Sequence, residues 1–140
     1  MGAKMSKLGI GELSAKSGVA VPNIRYYESI GLLPRPQRNE GGRRTYSNDD
    51  IAQLTYIRNA RRLGFPIAKI KTMMGLEDQA DASCRRLRDL ATEQLLEMSR
   101  QISELQVLQR ELQHEITTCD VRCCDGLVKD CTVIKAMSAH

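Results

Sequence analysis

Residues 22–47 read PNIRYYESIGLLPRPQRNEGGRRTYS, and their punctuation sets the architecture of the chain. Pro22 suits the first turn of a helix, where its missing N–H leaves no bond unmade. The helical run that follows stops at Gly31. Pro34 and Pro36 exclude a helix from the next stretch, and Gly41–Gly42 mark a turn between two short extended pieces. Arg35, Arg38, Arg43 and Arg44 surround that turn. Just upstream, residues 9–17 (GIGELSAKS) form a short apolar-periodic stretch, Ile10, Leu13 and Ala15, that ends at Gly18. Two short helices joined by a Gly-containing turn spell a helix-turn-helix. A basic hairpin directly after it reads as a wing that grips phosphate.

Downstream of the wing, Ser47 or Asn48 can N-cap a helix that starts near Asp49 and runs to Gly64. Ile51, Leu54, Ile57 and Leu63 are its expected buried stripe. Pro66 opens a shorter helix with Ile67, Ile70, Met73 and Met74 on the apolar side. These two helices are expected to brace the head. After the loop around residues 77–83, a stretch from about Cys84 to Thr118 contains no Gly or Pro. At 1.5 Å per residue it would be a helix of about 52 Å. Ala91, Met98, Leu105 and Leu112 recur every seventh residue, as do Leu95, Ile102 and Ile116, with Gln109 interrupting. Traced backwards, the spacing reaches Arg88 and Cys84. So long a helix cannot bury its stripe against a small head, and a coiled coil with a second copy of the chain is expected. The division is therefore a head over 1–75, a dimerisation helix over 82–118 and a C-terminal segment over 119–140.

Composition agrees. Of 140 residues, 27% are charged and 41% apolar, which is globular, and aromatics make up only 4%, which calls for an aliphatic, helical core. No apolar run is long enough to span a membrane. The opening MGAKMSKLGIGEL lacks the apolar stretch of a secretory signal, so a cytoplasmic location is expected. Residues 1–75 carry 13 Lys/Arg against 5 Asp/Glu, whereas residues 76–140 carry 8 against 12. A basic head on an acidic tail points to a polyanion-binding domain joined to a partner-binding or sensing segment.

The chemistry lies in the cysteines. Cys84 stands apart, while Cys119, Cys123, Cys124 and Cys131 crowd a segment reading CDVRCCDGLVKDC, expected as a loop around Gly126. Nothing points to an oxidising compartment, so the cluster reads as a metal or redox site rather than a disulfide framework. Thiolates suit Zn, Cd, Hg, Pb or Cu(I), and a metal can close a loop that has little structure of its own. The spacing is not that of a zinc ribbon. No catalytic constellation competes: His114 falls within the long helix, His140 ends the chain, and no glycine-rich phosphate loop occurs. The chain is not expected to be an enzyme.

The stretch IGELSAKSGVAVPNIRYYESIGLLPRPQRNEGGRRTYS, followed by helices, a long helix and a cysteine segment, resembles the MerR family of transcriptional regulators. Its most specific parts are IRYYESIGLLPRP and GGRRTYS. The resemblance implies a winged helix-turn-helix head, an antiparallel coiled-coil homodimer and a metal-binding loop near each dimer end. It implies that Arg25 and Tyr27 of the second helix meet the DNA, and that Arg43, Arg44 and Tyr46 of the wing contact backbone phosphates. Arginine bridges phosphate oxygens or reads guanine, and a tyrosine hydroxyl donates to phosphate. Val21 and Pro22 offer the recognition helix no base-reading groups, so much of the specificity is expected from DNA shape.

Within the family, sensors of divalent ions place a cysteine at the start of the dimerisation helix and copper(I) sensors a serine. Cys84 matches the divalent type, although Ser83 adjoins it. Antiparallel pairing would bring Cys84 of one chain near the Cys119 loop of the other. The Cys123–Cys124 pair resembles zinc sensors that bind two ions. The loop is longer than the mercury-type pattern and lacks the histidine of the zinc sensors, which favours Cd, Pb or Hg without excluding Zn. Cys123 and Cys131 also resemble the two-cysteine loop of copper sensors, and the clustering is similar to the family's iron–sulfur redox sensor, whose spacing differs. The implied function is a homodimer that binds promoter DNA and, once metallated, distorts it so that RNA polymerase initiates. The alternatives are a redox switch or Cu(I) sensor on the same scaffold, or a metal buffer whose basic head binds nucleic acid non-specifically.

Overall fold

The computed structural model describes residues 7–139. The opening MGAKMS and His140, both used in the sequence reading, lie outside the described residues. In chain order the elements are α1 (Ile10–Ser17), α2 (Val21–Ser29), β1 (Gln37–Arg38), β2 (Arg44–Thr45), α3 (Asn48–Arg62), α4 (Ile67–Glu77), α5 (Cys84–Arg122) and α6 (Thr132–Ser138), with one 3-10 turn at Val128–Asp130. The mainly helical architecture read from the sequence is the one observed. Two compact units divide within α5, between Ala91 and Thr92.

In the first unit, α1 ends because Gly18 takes a left-handed backbone, φ +73°, from which its N–H donates to the Ser14 carbonyl at 2.9 Å. A side chain there would also collide with the Arg58 guanidinium, which donates to the Ser17 carbonyl at 2.9 Å. The buried stripe of α1 is Leu13 and Ser17, with Ile10 half-buried; Ala15, expected inside, is exposed. Positions 10, 13 and 17 share one helical face, and residue 15 lies off it. Ser17 is tolerated inside because its hydroxyl accepts the Val19 N–H at 3.2 Å.

Pro22 sits in the first turn of α2 as expected. The helix closes at Gly31, φ +77°, where the Tyr27 carbonyl accepts from both Leu32 and Leu33. The wing is an antiparallel hairpin with Gln37 opposite Thr45 and Arg38 opposite Arg44. Its turn is held by the Asn39 side chain, which accepts the Arg43 N–H, and by Arg38, which donates to the Gly42 carbonyl at 2.7 Å. Leu8 and Tyr46 exchange two backbone hydrogen bonds of 2.8 Å, joining the residue just ahead of the α1 cap to the wing.

Ser47 precedes α3, and its N–H is accepted by the Asp50 carboxylate at 2.9 Å, the N3 half of a capping box. Leu54, Ile57 and Ala60 form the buried face of α3, with Ile51 half-buried. Leu63, expected in that stripe, is 46% exposed. It caps the helix beyond the face that Leu54, Ile57 and Ala60 share, and Phe65 enters the core instead. Ile70, Met73 and Leu76 of α4 are buried, with Ile67 and Met74 half-buried. The centre of the core is aliphatic: Leu13, Ile24, Leu33, Leu54, Ile57 and Ile70 are fully enclosed, each contributing about 1.5–3 kcal/mol by burial, with Tyr27, Tyr46 and Phe65 packed around them. Leu87 and Leu90, in the first turns of α5, pack on this core.

The second unit holds the rest of α5 and the C-terminal segment. Of the heptad positions, Leu95, Ile102, Leu105, Leu112 and Ile116 are 44–65% exposed in one chain, while Met98 is half-buried. Arg100 ties its own helix together through Glu97 and Glu104, one turn away on either side. The helix runs four residues past Thr118, to Arg122, and so carries Cys119 on its last turn rather than on a loop. No Gly or Pro interrupts it before Gly126, and the Cys123 N–H still bonds the Cys119 carbonyl at 2.9 Å.

Candidate nucleic-acid interface and metal centre

Two open clefts lie between α2 and the wing. One is lined by Arg25, Glu28, Arg35, Arg38 and Arg44, and the other by Arg25, Arg38, Gly42, Arg43 and Arg44. The fold thus brings Arg25 of α2 together with Arg43 and Arg44 of the wing, and it adds Arg35 and Arg38. Guanidinium groups converging from two elements on one concave surface are suited to an extended polyanion.

The two tyrosines are placed differently from the arginines. Tyr27 is 9% exposed within the core, whereas its neighbour Tyr26 is 50% exposed. Tyr46 is buried, 3% exposed, and its hydroxyl donates to the Glu28 carboxylate at 2.5 Å. The other Glu28 oxygen pairs with Arg44 at 3.2 Å. Burial, followed by the hydrogen bond to Glu28 and the Glu28 charge, pushes the Tyr46 hydroxyl up to about 12, against the opposing effect of Arg44. Sequence reasoning missed Glu28. Its one available signal was position: a carboxylate in the last turn of a helix opposes the helix dipole and calls for a cationic partner.

In the second unit, Cys119, Cys123 and Cys131 are half-buried and form one group, with every sulfur within 4.8 Å of the others. The Cys119 sulfur is 3.7 Å from Cys131 and 3.6 Å from Cys123. Each thiol comes from a different local feature: the last turn of α5, the turn that leads to Gly126, and the residue that caps α6. A tetrahedral ion with metal–sulfur bonds near 2.3 Å needs sulfurs about 3.8 Å apart, so the group fits a thiolate-bound cation with little movement. Cys84 and Cys124 are exposed and stand outside the group. His114 is exposed on α5.

Hydrogen bonding with Cys123 and Cys131, with burial, pushes the Cys119 thiol up to about 12. The Thr132 N–H, 3.4 Å from the Cys123 sulfur, holds that thiol below its ordinary value. Metal would replace these protons. No helix among the described residues is long and apolar enough to cross a membrane.

Residues 8–77 match the family model described as MerR HTH family regulatory protein, and residues 51–114 match one described as MerR, DNA binding. The chain is similar to the HTH-type transcriptional regulator HmrR of Rhizobium leguminosarum bv. viciae, 38% identical over 112 residues, covering 80% of this chain and 86% of that protein. It is equally similar to the mercuric resistance operon regulatory protein of Bacillus cereus, 38% identical over 106 residues, covering 76% of this chain and 80% of the other. Among solved structures it resembles the transcription regulator PbrR691 from Ralstonia metallidurans CH34 in complex with lead(II). The TM-score is 0.75 at 30% identity, covering 94% of this chain and 99% of that one. With half its length matched by the helix-turn-helix model and relatives of this identity spanning most of it, the chain belongs to the MerR HTH family of regulatory proteins.

Proposed function

We propose that the chain is a metal-responsive transcriptional regulator that binds promoter DNA as a homodimer and, when metallated, distorts it so that RNA polymerase initiates. The convergence of three thiols in the second unit is the observation that carries the metal reading. A relative named for mercuric resistance and a neighbour holding lead(II) support a divalent ion. The all-sulfur donor set favours Cd, Pb or Hg, with Zn also compatible. The chain acts by binding, not as an enzyme, and works in the cytoplasm. The working division is a head over 1–75, a dimerisation helix over 82–118 and a metal segment over 119–140.

Arg25, Arg43 and Arg44 are the proposed DNA-facing residues; Tyr27 and Tyr46, which the resemblance adds to them, are buried in the head and would support that face from the core side. Cys119, Cys123 and Cys131 would hold the ion, with Cys84 of the partner subunit as a further ligand and Cys124 serving a second ion. A ligand shifts a two-state dimer only by its differential affinity for the states, and a cross-subunit cysteine is where that difference would arise.

The test has two parts. Footprinting on the chain's own promoter should show one discrete protected site; its absence would favour a metal buffer. Competitive titration of the reduced protein with Zn, Cd, Pb, Hg and Cu(I), beside in vitro transcription, should then rank the cysteines. Cys119→Ser and Cys131→Ser are expected to lower metal affinity at least about tenfold, the loss typical of a disturbed metal shell. Cys84→Ser should abolish the divalent response while leaving apo binding to DNA intact, and Cys124→Ser should be milder. Full activation by Cys84→Ser would leave the copper-type pair, Cys123 with Cys131, as the sensor. A visible iron–sulfur chromophore on anaerobic purification would replace the metal reading with a redox one.

A further inference from the structure

Glu28 is one carboxylate among the four arginines, Arg25, Arg35, Arg38 and Arg44, that line its cleft. Two considerations count against an acidic residue there. It lies in the last turn of α2, against the helix dipole, and it faces a surface whose other charges suit phosphate. Its side chain is nevertheless only 8% exposed, and both oxygens are used: one accepts the Tyr46 hydroxyl, the other pairs with Arg44. Tyr46 is fixed in turn by its backbone bonds to Leu8 and by the burial of its ring. The carboxylate is therefore anchored on the core side and engages Arg44 through one terminal nitrogen, Nη1. Arg44 is 40% exposed and also lies against the Tyr46 hydroxyl, but a guanidinium carries five donors, so these contacts leave it donors for another anion.

We propose that Glu28 is a positioning residue for DNA binding, one that holds the Arg44 guanidinium in the cleft with its free donors turned to a backbone phosphate. Fixing a long side chain before binding removes part of the ordering cost that association otherwise carries. By bridging α2 to β2, the same carboxylate sets the spacing between the recognition helix and the wing. The inference rests on the reading of the head as a DNA-binding domain and adds to it a residue of the wrong charge for direct contact.

That wrong charge makes the sign of the test informative. If Glu28 acted only through its charge, Glu28→Gln would remove a repulsion and strengthen binding. Positioning requires the opposite. The probe is a mixed-sequence DNA duplex, with affinity read by fluorescence anisotropy on the full-length protein. Glu28→Gln is expected to weaken binding about threefold or more, and to have no weakening effect in an Arg44→Ala background. Glu28→Asp keeps the charge but withdraws it by one methylene, and it should weaken binding with the same dependence on Arg44. It also serves if Glu28→Gln does not fold. Unchanged or tighter binding by these variants, or equal weakening with and without Arg44, would overturn the proposal. Failure of the wild-type protein to bind the duplex at all would instead strike at the DNA-binding reading itself.

Discussion

The family resemblance of the RRTYS motif puts the Tyr46 hydroxyl on a phosphate, whereas the fold gives it to Glu28. Its neutral form is favoured by burial, by the Glu28 hydrogen bond and by the Glu28 charge, which outweigh Arg44 and push the pKa from 10.0 up to about 12. A group whose folded pKa is raised contributes stability that is complete below the unfolded value and lost as pH climbs through the folded one. Stability should therefore fall between about pH 10 and 12 as Tyr46 ionises. Tyr46→Phe should flatten that part of the profile. Ultraviolet titration of tyrosinate against denaturant melts would check it, with Tyr46, and Tyr56, the latter raised by burial and Glu77, ionising above the ordinary tyrosine value. At this scale the sequence named the chemical groups but not their partners. Arg44 and Glu28 stand sixteen positions apart, Tyr46 and Glu28 eighteen, and no local pattern links them.

The seven-residue repeat of α5 was legible because it depends only on the helical period. Leu95, Ile102, Leu105, Leu112 and Ile116 form the exposed apolar series it describes. Replacing Leu105 with Lys puts a charge on the proposed seam, and sedimentation should show monomers with loss of operator binding, since half-site spacing depends on the dimer. A variant that sediments as a dimer and binds DNA fully would refute the seam. The end of α5 was less legible. Read as one loop, the cysteine motif ends the helix at Thr118, although Cys119 and Cys123, four apart, already have helical spacing. That spacing turns both sulfurs to one face, and the turn after Arg122 returns Cys131 beside them. Leu63 taught the complementary lesson. It is an apolar residue next to a stripe, but Gly64, φ +88°, ends the helix there, and the chain delivers Phe65 to the core in its place.

In the whole molecule, the basic first part builds one compact unit around an aliphatic core, and the acidic remainder builds a second whose apolar heptad is exposed in a single chain. An exposed seam that needs a partner makes folding a mass-action process. The melting temperature should therefore rise with protein concentration, as measured by circular dichroism across a hundredfold range, and Leu105→Lys should abolish the dependence. A concentration-independent melt for the wild type would argue for a monomer. The sequence by itself determined the order of helices, the wing, the charge asymmetry and the heptad series. Each follows from backbone restriction at Gly and Pro, from composition, or from a period of three to four residues, all of which act over short distances along the chain. Only the tertiary structure decided that Glu28 joins Tyr46 and Arg44, that Arg35 and Arg38 share a cleft with Arg25, and that three of the five cysteines, not Cys84 or Cys124, meet within one chain. Those contacts depend on how elements pack and where turns return the chain, and the hydrophobic core and turn geometry set both.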